Sequence, residues 1–109
     1  MKKKITIIIL FLLSPFFVLG QWNQIGDNID GEVANDNFGR SVSISNDGNI
    51  LAISGYLNDT NGEDSGHVRV FENIGGVWIQ MGDDINGEAT GDESGFSIDL
   101  NNNGNIIAI

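Results

Sequence analysis

The chain has 109 residues, no cysteine, and 15 Asp and Glu against 5 Lys and Arg, a formal net charge of −10 at pH 7. Without cysteine there is neither a disulfide framework nor a lipid-modified N-terminal Cys. Three of the five cations are Lys2, Lys3 and Lys4, so beyond residue 20 only Arg40 and Arg69 face all 15 acids, a net charge of 2 − 15 = −13. A phosphate backbone demands clustered Lys and Arg, which excludes nucleic acid as a partner.

Residues 1–20 read as a secretory signal peptide. Lys2 to Lys4 form the positive start, Ile5 to Leu13 an apolar run, Ser14-Pro15 a break, and Val18-Leu19-Gly20 a small-residue cleavage stretch before Gln21. At about 1.5 Å per residue, Ile5 to Leu19 would span roughly 22 Å as a helix, short of the ~30 Å hydrocarbon core. The expected product, 21–109, is exported to the cell surface or the medium and has no membrane segment. Its acidity keeps it soluble and disfavours anionic membranes.

The chain then writes one pattern twice. Trp22-Asn-Gln-Ile-Gly-Asp-Asn-Ile-Asp-Gly-Glu32 returns as Trp78-Ile-Gln-Met-Gly-Asp-Asp-Ile-Asn-Gly-Glu88, and Gly39 to Ile53 returns as Gly95 to Ile109. The offset is 78 − 22 = 56 throughout, and 16 of the 32 positions 22–53 are identical in the copy. A fixed period of this size marks a stacked or radial repeat fold.

In chain order, Trp22 to Gly26 is a short β-prone stretch, followed by a turn-rich loop from Asp27 to Asn37. Arg40 to Ser45 alternates, with Val42 and Ile44 on one face and Ser41, Ser43 and Ser45 on the other, expected to face solvent. Asn46-Asp-Gly-Asn49 is a hairpin turn. Ile50 to Ile53, apolar throughout, reads as a strand covered on both faces. After the long loop Gly55 to Gly66 come a strand from His67 to Glu72, with Val68 and Val70 on one face, the turn Asn73 to Gly76, and a strand from Val77 to Met81. The cycle restarts with loop Gly82 to Ser94, strand Phe96 to Asn101, turn Asn102 to Gly104 and strand Asn105 to Ile109. No segment carries a helical period.

Four short antiparallel strands per repeat is the count of a propeller blade. The expected fold is all-β: an incomplete β-propeller of about one and a half four-stranded blades plus an N-terminal outer strand. Repeats bury a core only against neighbours, and fewer than about three rarely stand alone. Further blades beyond residue 109, or assembly with copies of itself, are therefore expected.

Phe38-Gly39-Arg-Ser-Val-Ser-Ile-Ser-Asn-Asp-Gly48, with Ala52-Ile-Ser-Gly55, resembles the FG-GAP repeat, the blade unit of integrin-α-like propellers and of many exported bacterial proteins. Ser54-Gly55-Tyr56 stands where Gly-Ala-Pro is usual, and in the second copy Ser94-Gly95-Phe96 displaces the Phe. Gly66 to Glu72 and Val77-Trp-Ile-Gln80 resemble the last two strands of the bacterial variant. The resemblance implies adhesion or binding of a protein or glycan at the cell surface. It also implies calcium at the loop between the first two strands. The matching residues are Ser43, Ser45, Asp47 and Gly48 in copy one and Asp99, Asn101, Asn103 and Gly104 in copy two. Asp99, Asn101 and Asn103 spell the start of a calcium loop, yet Leu51 and Ile107 stand where the closing acid belongs, so a hydrogen-bonded hairpin turn is the competing reading.

Two acidic clusters, Asp59, Asn61, Glu63, Asp64 and Asp83, Asp84, Glu88, Asp92, Glu93, are read as solvated loop charge, with a loose cation site or a ligand rim as alternatives. Trp22 and Trp78 are expected to cover the outer strand rather than stack on sugars. His67 is the only histidine, and with no Cys or second His a zinc site is disfavoured. No serine has a base partner, and no acid pair is singled out for hydrolysis. The reading is a non-enzymatic binding or adhesion module. The alternatives are a self-assembling unit that completes a propeller from several copies, and an accessory domain of a larger exported enzyme.

Expressed in a secretion-competent bacterial host, the chain should be recovered with Gln21 at its N-terminus by intact-mass spectrometry. A membrane-bound product retaining Met1 would mean that the apolar run anchors instead.

Overall fold

The structure, a computed structural model, describes residues 20–109, so the expected signal peptide lies outside the described residues apart from Gly20. Those residues form strands, turns and loops without a helix. The strands are β1 (Phe38–Ile44), β2 (Ile50–Gly55), β3 (His67–Ile74), β4 (Val77–Gln80), β5 (Ile85–Asn86), β6 (Asp99–Leu100) and β7 (Ile107–Ala108). The main sheet runs β1-β2-β3-β4, all antiparallel, with β5 also on β3, while β6 and β7 pair with each other. This four-stranded antiparallel sheet with a short second hairpin is consistent with one propeller blade and the start of another.

Each hairpin follows from its turn. Gly75 and Gly76 have φ of 60° and 88°, the two positive values that a two-residue turn between right-twisted strands requires. The Asn73 side chain accepts from the Gly76 amide at 2.9 Å. β1 and β2 are out of step between Phe38 and Val42, which pair with Gly55 and Ile53. Gly39 sits in this bulge at φ 92°, and Gly95 has the same φ of 92°. The backbone repeats elsewhere at the offset of 56: Gly26 and Gly82, Asn35 and Gly91, Asn37 and Glu93, and Gly48 and Gly104 all have positive φ.

The core lies between the blade and the second hairpin. Ala52 and Val68 meet Ile98 and Leu100, flanked by Ile50, Val70 and Ile107. Alternation sends the neighbours Ile53, His67 and Phe71 to the opposite face, where they are buried as well. β2 is covered on both faces, as its unbroken apolar run predicts.

The alternation predicted for β1 holds, but its faces are reversed. Val42 and Ile44 are each 55% exposed. Ser41 and Ser43 turn inward, and their hydroxyls accept the amides of Ile98 at 3.2 Å and Leu100 at 2.9 Å. Ser45, also buried, accepts the Ile50 amide at 2.9 Å. The physical reason is accounting for backbone donors. The second hairpin approaches β1 with two amides that make no bond to β7, and a short hydroxyl meets them where valine cannot.

A second correction concerns Trp22 to Gly26, expected as an outer strand. It forms none, and Trp22 is fully exposed. A strand exists only through a backbone ladder, and this segment makes none among the described residues; it touches β4 through a side chain, the Trp78 indole donating to the Ile25 carbonyl. The second hairpin is also shorter than expected, because among the described residues β6 and β7 have only each other to pair with.

Truncating Leu100 to Ala should cost about 2–5 kcal/mol. Ser43→Ala should cost about 1–3 kcal/mol by orphaning an amide, whereas exposed Val42→Ala should stay within about 0.5 kcal/mol. Urea unfolding of the three variants checks the order, which would invert for Ser43 and Val42 if the serines faced solvent.

Candidate functional site

The antiparallel topology sorts the connections by length. The loops before β1, between β2 and β3, and between β5 and β6 gather at one end of the blade, and the tight turns gather at the other. Backbone and side-chain bonds stitch the long loops together. Asn58, 1% exposed, donates to the Asp36 carboxylate at 2.7 Å, and its own side-chain oxygen accepts the Thr60 amide. Asn61 donates to the Gly87 carbonyl at 2.8 Å, and the amides of Gly91, Glu93 and Ser94 bond the carbonyls of Glu63, Asp64 and Ser65. Two of the nine acidic-cluster residues thus build turns with their carboxylates: Asp59 accepts the Asp64 amide, and Asp92 accepts those of Glu88 and Ala89.

The loops expected for calcium lie at the opposite end. In the first, Asp47 accepts from the Ser45 hydroxyl at 2.7 Å and the Asn49 amide at 3.0 Å. The Asn49 amide, and then the Ser45 hydroxyl, hold its carboxylate below the usual range. A carboxylate lowered in this way favours the folded turn at neutral pH and loses that effect as pH falls through its lowered pKa. In the second loop, the Asn101 side-chain oxygen accepts the amides of Asn105 and Ile106, each at 3.0 Å, and its nitrogen donates to Asn105. Asn103 is exposed in the turn, and Asp99 is exposed in β6 at the repeat position of Ser43. Ser45 and Asn101 thus do one job, accepting the amide five residues on, which occupies Asn101 as a turn former.

At the long-loop end, β3 carries His67, Arg69 and Phe71 along one face. His67 is fully buried, edge-on to Phe38 with ring centroids 6.1 Å apart. The Arg69 guanidinium lies 5.7 Å from the Phe38 ring and 5.2 Å from that of Phe71. Gln80 accepts from Arg69 Nε at 3.0 Å and from Nη2 at 2.8 Å. Asp84 arrives by a bulge: Phe71 pairs with Gln80 and Val68 with Ile85, so the four residues 81–84 lie opposite the two residues 69–70. Such a bulge re-aims side chains. It sets Asp84 Oδ2 at 3.4 Å from His67 Nδ1 and Oδ1 at 3.5 Å from Arg69 Nε. Glu32 reaches in from the loop before β1, its Oε1 4.0 Å from Arg69 Nε. Sequence reasoning left these residues scattered, because only the sheet register and the bulge join them.

Beside this cluster, the segment Gly26 to Asp30 crosses Phe71, Val77 and Trp78, leaving a cleft of about 440 Å³. The Trp78 indole donates to the Ile25 carbonyl at 3.0 Å. Phe96, the displaced aromatic of the second copy, lies under Arg40 at 4.6 Å and edge-on to Tyr56 at 5.3 Å.

Comparison with known families matches residues 29–71 to the FG-GAP repeat. The matched segment is 43 of the 109 residues. It covers β1, β2 and most of β3, and holds Phe38, Gly39, Glu32, His67 and Arg69; Asp84 lies outside it. No curated protein and no solved structure matches the chain. Within the matched segment the pair Phe38-Gly39 has two jobs: Phe38 packs against His67 and Arg69, and Gly39 forms the bulge that starts β1.

Asn58→Ala leaves the Thr60 amide and the Asp36 carboxylate without a buried partner. It should cost about 1–3 kcal/mol, read by urea unfolding, and should expose the loop between β2 and β3 to limited proteolysis.

Proposed function

We propose that the chain is an exported, non-enzymatic binding or adhesion module, secreted or held at the cell surface, whose FG-GAP repeat presents a protein or glycan ligand site. The observation that supports it is the sorting of connections: three long loops converge at one end, built on a rigid antiparallel sheet. Binding residues concentrate on loops held by such a scaffold. The acid-rich rim of these loops and the adjoining cleft walled by Phe71, Val77 and Trp78 suit a neutral or cationic ligand better than an anionic one.

The full chain, passed over immobilised panels of neutral and sulfated glycans and of extracellular matrix proteins, should be retained by a discrete subset. Exchanging residues 59–63 for a Gly/Ser stretch of equal length should abolish that retention, while Asn49→Ser in the opposite turn should leave it intact. Retention that survives the loop exchange, or turnover of a panel member, would overturn the reading.

A second reading, a unit that assembles with copies of itself, is favoured by one observation. Val42, Ile44, Ile106 and Ile109 are each half or more exposed, and in a repeat fold such surface meets the next repeat. Light scattering across a hundredfold dilution should then give a discrete multiple of the chain mass, and a constant monomer mass would refute it.

A further inference from the structure

We infer that Glu32, His67 and Asp84 form a binding site for one divalent first-row transition metal ion. Their ligand atoms all lie within 4.8 Å of one another, and they come from three separate segments: the loop before β1, the start of β3, and the bulge before β5. The histidine decides the matter. It is 0% exposed, and neither ring nitrogen has a hydrogen-bond partner among the described residues. A buried imidazole without partners forfeits its hydration, so such a group calls for an explanation, an ion among them.

The distance suits two ligands of one ion better than a hydrogen-bonded pair. His67 Nδ1 and Asp84 Oδ2 are 3.4 Å apart, beyond the usual 2.7–3.2 Å of an N–H···O bond. Two ligands of one tetrahedral zinc, each about 2.0–2.1 Å from the metal, stand roughly 3.3–3.4 Å apart. Asp84 is held in that pose. Its Oδ1 accepts from Gln80 Nε2 at 2.7 Å and faces Arg69, so Oδ2 is turned towards the ring. An outer partner that fixes a ligating carboxylate is a regular part of metal sites. Glu32, with a side chain 43% exposed, stands on a loop and can close the remaining distance.

The charges agree. Two carboxylates outnumber the single guanidinium, whose Nε lies 3.5 Å from Asp84 Oδ1 and 4.0 Å from Glu32 Oε1 and which is shared with Gln80 and the faces of Phe38 and Phe71. Arg69 alone also leaves the imidazole unsatisfied, since it offers His67 no acceptor. One imidazole nitrogen with two carboxylate oxygens favours zinc, cobalt or nickel, whereas calcium takes an all-oxygen set. Three protein ligands leave a fourth position to water, on the side where Glu32 is open to solvent. The ion would tie the loop before β1 to β3 and the bulge, and so stiffen the ligand-facing end. This inference stands apart from the adhesion reading, because it concerns an ion and not a surface partner.

The test is calorimetric titration of zinc chloride into the chelator-treated full chain, with thermal unfolding alongside. One zinc per chain is expected, with a raised melting temperature and no comparable heat from calcium chloride. Glu32→Gln and Asp84→Asn should each weaken zinc binding at least tenfold and remove most of the thermal shift, while exposed Glu63→Gln should match the wild type. Cobalt in place of zinc should give the visible absorption of a four-coordinate site, lost in both variants. Glu32→Gln keeps the test decisive even where His67 variants fail to fold, since its side chain is partly exposed. No zinc binding, or binding that Glu32→Gln and Asp84→Asn leave unchanged, would overturn the proposal.

Discussion

Two backbone amides, those of Ile98 and Leu100, end on serine hydroxyls one repeat earlier, and the packing of the second hairpin depends on that bond pair. An amide facing a buried surface needs an acceptor. The neighbouring strand supplies it through Ser41 and Ser43, short side chains that let the two backbones approach. Once they do, Ala52 and Val68 close on Ile98 and Leu100, and the apolar core forms between units rather than within either. A repeat fold gains its stability in this way, from interfaces between units that are incomplete alone.

The same economy shapes the other face of the sheet. Two irregularities, the bulge at Gly39 and the extra residues between Gln80 and Ile85, break an otherwise regular ladder. Bulges bend a strand and turn its side chains. One sets Phe38 against His67 and Arg69, and the other delivers Asp84 to the same histidine. The polar cluster therefore stands where the sheet is least regular, next to the long loops, while the tight turns at the far end are closed by their own side chains. Asp47 and Asn101 illustrate the difference: their oxygens serve the turn's amides, whereas Asp84 Oδ2 points at a ring nitrogen.

Much of the fold was legible in the residues. Asp47-Gly48 and Gly75-Gly76 announce turns, and the unbroken Ile50 to Ile53 announces a covered strand. The pair Phe38-Gly39 points to the repeat that residues 29–71 match. The candidate site was not legible. Glu32, His67 and Asp84 fit no spacing motif, and a lone histidine without Cys or a second His argues against a zinc site until the sheet buries it beside two carboxylates. The face of β1 was also misassigned, since alternation separates two faces without saying which one a neighbour will cover.

The sequence by itself determined the period of 56 residues, the order of short strands and the places where the backbone turns, because each of these is a local property of adjacent residues. Only the tertiary structure decided that serine rather than valine faces the next repeat, and that one histidine meets two distant carboxylates. Those outcomes depend on sheet register, on two bulges and on which backbone donors lack an acceptor. They are set by the approach of segments far apart in the chain, which no local pattern encodes.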